Sequence, residues 1–122
     1  MKIRMILLSL IAALCYAGMA NASELRVVVV QTSDVPGYVK AIADGQALLK
    51  SKGSPATLRV WLARYAGENA GSIIVSVEYP SFEALAKDDT MMRSDADLKA
   101  WLAGLAKMRK IVSDSIYEEL KP

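Results

Sequence analysis

Residues 57–85, TLRVWLARYAGENAGSIIVSVEYPSFEAL, decide the fold of this chain. Leu58, Val60 and Leu62 alternate with Thr57, Arg59, Trp61 and Ala63, the period-two pattern of a strand with unlike faces. From Ser72 to Tyr79 a second run alternates Ile73, Val75, Val77 and Tyr79 with Ser72, Ile74, Ser76 and Glu78. Gly67-Glu68-Asn69-Ala70 lies between them and reads as a four-residue hairpin loop, with Gly67 free to take positive φ. Pairing Ala66 with Gly71 sets Leu62 opposite Val75, Val60 opposite Val77, Leu58 opposite Tyr79 and Arg59 opposite Glu78. One face of the hairpin is then apolar. The other carries Arg59, Trp61, Tyr65, Ile74, Ser76 and Glu78.

Upstream, Leu25 to Gln31 contains Val27-Val28-Val29-Val30, apolar on both faces as in a central strand. Ser33 or Asp34 caps a helix that holds Pro36 in its first turn, where a missing N–H costs nothing. Tyr38, Val39, Ile42, Leu48 and Leu49 form its expected buried side, and Gly53 its C-terminal stop. Gly45 weakens that helix by about 1 kcal/mol relative to Ala, which points to close helix–sheet packing. Downstream, Pro80 ends the ladder and Ser81 caps a short helix through Phe82, Leu85 and Ala86. Asp88-Asp89-Thr90 is expected to interrupt it, and Ser94 to open a second segment with Leu98, Trp101, Leu102, Leu105 and Met108 facing the core. Ile111 to Leu120 reads as a last strand, polar enough for an edge.

Residues 1–22 have a different character. Lys2 and Arg4 precede an apolar run from Met5 to Ala17, and Ala20-Asn21-Ala22 fits a small-x-small cleavage site. The expectation is a secretory signal peptide cut before Ser23, a domain over 23–122, and a periplasmic or secreted location with no membrane attachment after cleavage. Ala12-Ala13-Leu14 ahead of Cys15 departs from a lipidation signal at both informative positions. The whole chain carries 15 basic and 13 acidic residues, and removing Lys2 and Arg4 leaves 13 against 13. A neutral domain has no electrostatic footprint for nucleic acid. With Cys15 the sole cysteine, the domain has no disulfide and is held by its core.

The order β-α-β-β-α-β, with the second helix broken, is an α+β, ferredoxin-like arrangement of an antiparallel sheet with helices on one face. Right-handed crossovers place strands 1 and 3 centrally and 2 and 4 at the edges. The uncovered face bears strand 1 and Trp61, an apolar patch that marks an association surface. The block RVWLARYAG…GSIIVSVEYPSFEALA, followed by DADLKAWLAGL and SDSIYEEL, resembles small members of the dimeric α/β-barrel superfamily, near its NIPSNAP-like and monooxygenase-like branches. That resemblance implies a homodimer whose two sheets pack face to face. It implies no single activity, because the superfamily spans oxygenases, haem-handling enzymes, isomerases and sensors.

Chemistry is constrained mainly by what is missing. The chain has no histidine, which removes histidine-ligated haem and an imidazole base. Without a cysteine after residue 22 there is no thiol nucleophile or structural zinc site, and no phosphate-cradling glycine loop is present. Cofactor-free oxygenases of the superfamily use Asn, Trp, Tyr or Arg near the substrate. Trp61, Tyr65, Asn69 and Arg59 have such side chains, but no catalytic motif aligns with them. Met91-Met92 reads either as soft Cu(I) ligands or as an apolar flap at the helix break. Asp88-Asp89 and Asp95/Asp97 match no calcium-loop spacing. Arg59, Trp61, Tyr65 and Glu78 are therefore the candidate pocket or interface residues, either a wall for a small apolar ligand or plain dimer packing. The expectation is a ligand-binding or interaction module without metal or cofactor and without catalytic residues. The alternative is a cofactor-independent monooxygenase-like enzyme acting on a small aromatic or quinone-like substrate.

Overall fold

The computed structural model describes residues 23–122; the expected signal peptide lies outside the described residues. The elements are β1 (Glu24–Gln31), α1 (Val35–Ser51), β2 (Thr57–Leu62), a 3-10 turn (Gly67–Asn69), β3 (Ile73–Tyr79), α2 (Phe82–Ser94), α3 (Ala96–Met108) and β4 (Lys110–Glu118). The strands form one antiparallel sheet in the order β2-β3-β1-β4. This is the expected ferredoxin-like α+β arrangement, with β1 and β3 central.

The hairpin keeps its expected faces but not its expected register. Leu62 pairs with Ile73, Val60 with Val75, Leu58 with Val77 and Arg59 with Ser76, two residues away from the four-residue-loop pairing. The cause is the connection. Gly71 donates to the Ala63 carbonyl, and residues 64–70 wind through the 3-10 turn, with Gly67 and Gly71 at φ 56° and 86°. An even shift preserves parity, so the same side chains face the core.

Asp34 caps α1 by accepting from the Gly37 N–H. The buried stripe is Tyr38, Ile42, Gly45 and Leu49, at helical spacing. Val39, expected inside, is exposed because it lies one helical step off that stripe. Gly45 admits a helix rather than the sheet: a Cβ there would overlap Cζ2 and Cε2 of Trp101 on α3. Trp101 is anchored by Nε1–H donating to the Ala41 carbonyl at 2.9 Å.

Ser81 caps α2, accepting from the Ala84 N–H. The expected interruption at Asp88-Asp89-Thr90 does not occur, and α2 continues to Ser94. Asp88 is buried and accepts from the Ser54 hydroxyl, so its carboxylate has a partner and does not compete for its own helix backbone. The break falls at Asp95, which accepts from the Asp97 and Leu98 N–H groups and so caps α3. Lys52 ties this cap to the end of α1 through Asp95 at 3.2 Å and Asp97 at 2.8 Å.

The core lies between the sheet and the helices. Val28 and Val30, Ile73, Val75 and Val77 meet Tyr38, Ile42, Leu85 and Leu105 there. β4 is the exposed edge expected of it, and a bulge at Val112 separates the Val29–Ser113 and Val30–Ile111 pairs.

Candidate functional site

Two regions concentrate the side chains that could recognise something, one on each side of the sheet. On the uncovered side, alternation places Leu25, Val27 and Val29 of β1 beside Ile74, Ser76 and Glu78 of β3 and Arg59 and Trp61 of β2. Arg59 Nε stands 3.6 Å from Glu78 Oε2, a diagonal rather than a directly opposed pair. Trp61 donates from Nε1 to Ser76 Oγ at 2.8 Å while 51% of the residue stays exposed. Three of the four sequence candidates thus share one surface. Tyr65 does not join them, since it lies past the end of β2 in the connection and is fully exposed.

On the covered side, a cavity of about 90 Å³ opens between the sheet and all three helices. Val28, Val75 and Val77 form its floor, Ile42 and Leu49 come from α1, and Met92, Trp101, Leu102 and Leu105 complete it from α2 and α3. Met92 therefore has an apolar lining role. Arg26, Tyr79, Arg109 and Asp114 are its polar members, and none of them stands out in the linear sequence as a site residue. A signal was present for two: Tyr79 falls in line with Ile73, Val75 and Val77 on the apolar hairpin face. Arg26 shares the parity of Val28 and Val30, so in β1 it must face the helices.

Arg26 and Asp114 form a fork across the β1–β4 pair, with Nε to Oδ1 at 2.9 Å and Nη2 to Oδ2 at 2.6 Å. The Arg26 hydrogen bonds hold the Asp114 carboxyl below the ordinary carboxylate range, partial burial opposing them. The same bonds raise the Arg26 guanidinium. Outside the fork, an open groove of about 540 Å³ runs between α2 and β4, lined by Phe82, Leu85, Asp89, Arg93 and Ile116. Arg26 and Asp114 line both spaces, so their ion pair is the wall that separates groove from cavity.

The remaining polar members differ in character. Burial, followed by the adjoining Asp88 carboxylate, pushes the Tyr79 phenol well above its ordinary range, so Tyr79 stays a neutral donor. Arg109 leaves α3 as its C-terminal cap and donates from Nη1 to the wholly buried Tyr38 hydroxyl at 2.9 Å. Its Nε–H is buried and meets no acceptor among the described residues. Among the described residues no group of three or more acidic, Cys or His side chains is placed to hold a metal ion.

No protein-family model matches the chain. No curated protein matches it either. Among solved structures it is similar to a crystal structure of a conserved protein of unknown function from Bacteroides thetaiotaomicron, described as a possible oxidoreductase. The TM-score is 0.57 at 11% identity, covering 82% of this chain and 100% of the other. At that identity the likeness is one of fold. The small α+β architecture is shared.

Proposed function

We propose that this protein is a small-ligand-binding module that works outside the cytoplasm as a homodimer of the α/β-barrel type. One observation carries the ligand reading: the apolar cavity between sheet and helices with its wall of Arg26, Asp114, Arg109 and Tyr79. A close-packed interior of this size holds few voids larger than a water molecule, and an apolar pocket with a few convergent polar groups is the usual form of a ligand site. An oxygenase-like role would need a base at the substrate. Asp114 is engaged by Arg26 and Tyr79 stays protonated, so neither polar group serves as one.

The second copy is the natural occupant of the uncovered sheet face. Four strands at about 4.8 Å spacing and about seven residues in length give roughly 450 Å² of flat area per copy. Side-chain relief brings that toward the lower range of specific interfaces, about 600–800 Å² per partner. The face also carries both members of an ion pair, so a twofold axis lets Arg59 of one protomer meet Glu78 of its partner. The ligand reading is tested by thermal unfolding of the 23–122 protein with small apolar solutes, in wild type and in Leu105→Phe, which fills the cavity. Stabilisation of the wild type, absent in the filled variant, is the expected result. A wild type indifferent to every solute would overturn it.

A further inference from the structure

We infer that the cavity beneath the helices takes a short-chain carboxylate, its tail among Val28, Leu102 and Leu105 and its anionic head on Arg109. The inference rests on the ligand-site reading above and deepens it. The charged groups of the lining are two guanidiniums and one carboxylate. Arg26 and Asp114 satisfy each other through two hydrogen bonds. Arg109 feels the Asp114 charge but hydrogen-bonds the neutral Tyr38 phenol, and its buried Nε–H finds no acceptor among the described residues. Tyr38 is fully buried, so the hydrogen bond to it turns the guanidinium inward.

The acids nearby are committed elsewhere. Asp89 pairs with Arg93 at 2.9 Å, and Asp88 accepts from Ser54 and lies against Tyr79. Arg109 is half-buried, but a buried N–H with no acceptor among the described residues is costly, and an anion would supply both an acceptor and a countercharge. Guanidinium is the side chain suited to a carboxylate. Size sets the tail. An engineered apolar cavity of about 150 Å³ holds benzene, so about 90 Å³ suits about four non-hydrogen atoms, the carbon chain of a short carboxylate whose oxygens rest on Arg109.

The test is an NMR titration of the 23–122 protein with butyrate and with butyramide, a neutral molecule of the same shape. The readouts are the methyl groups of Val28, Leu102 and Leu105 and the indole of Trp101. Expected are saturable shifts at these groups, with butyrate at least tenfold tighter than butyramide. In Arg109→Gln the preference should fall below threefold. Equal binding of the two by the wild type overturns the carboxylate assignment and leaves the ligand site standing. Butyrate shifts confined to surface cations overturn it as well. No cavity response to butyrate, butyramide or benzene overturns both readings. The wild-type comparison decides the matter even where the Arg109 variant fails to fold.

Discussion

Gly45→Ala is the substitution that best tests how this domain is packed. On an isolated helix the change is favourable by about 1 kcal/mol. Here the added methyl would overlap the Trp101 indole at Cζ2 and Cε2 and stand 2.7 Å from Nε1. The indole is a rigid ring anchored on the Ala41 carbonyl, so it must retreat as a body. Overpacking of this kind costs about 1–3 kcal/mol, and losing the indole hydrogen bond adds about 1. The net effect is destabilisation by about 1–3 kcal/mol, which lowers Tm by roughly 4–8 °C per kcal/mol in a domain of this size. Urea and thermal unfolding of wild type, Gly45→Ala, Trp101→Ala and the double variant form the assay. Without the indole the three closest contacts of the methyl are gone, so in the Trp101→Ala background Gly45→Ala should become neutral or stabilising by up to about 1 kcal/mol. If Gly45→Ala stabilises both backgrounds equally, the helix contact is wrong.

The Arg26–Asp114 fork predicts an acid-side dependence. The folded carboxyl lies below its ordinary value of 3.8, so the stabilisation is present above about pH 4 and lost as pH falls through the folded value. With both side chains about one-third exposed, its worth is under about 1 kcal/mol. Asp114→Asn should lower stability at neutral pH by that amount and flatten the acid limb of a Tm–pH profile; an unchanged profile would remove the fork from the ledger. Trp61→Glu places a charge on the uncovered sheet face and should shift a sedimenting dimer to monomer, whereas Trp101→Ala should leave association intact; a wild type monomeric at micromolar concentration sinks the proposed dimer. Intact-mass analysis of material exported from cells should show a chain beginning at Ser23 without lipid, and a retained Met1 or acylated Cys15 would contradict the signal peptide.

Alternation alone made the sheet legible. Val60 and Trp61 must lie on opposite faces whatever else the chain does, because successive strand residues point to opposite sides. Caps were equally local: Asp34 and Ser81 each accept from an N–H three residues on. Register was different, since residues 64–70 chose a 3-10 turn, and a two-residue shift leaves every face unchanged and therefore invisible to the hydrophobic pattern. Asp88 reads as a helix breaker in the sequence alone, but Ser54 of the α1–β2 loop donates to its carboxylate. The candidate residues on the hairpin were found by parity, and three of them do share a surface. The cavity was hidden for a physical reason. The bulge at Val112 lets both Ile111 and Asp114 line it, although they lie three residues apart, and Arg109 is held inward because α3 ends beside Tyr38 of α1, leaving an Nε–H without an acceptor among the described residues. Faces and caps follow from backbone geometry within a few residues. Ion pairs, cavities and orphaned donors depend on distances between segments far apart in the chain, and only their packing sets those.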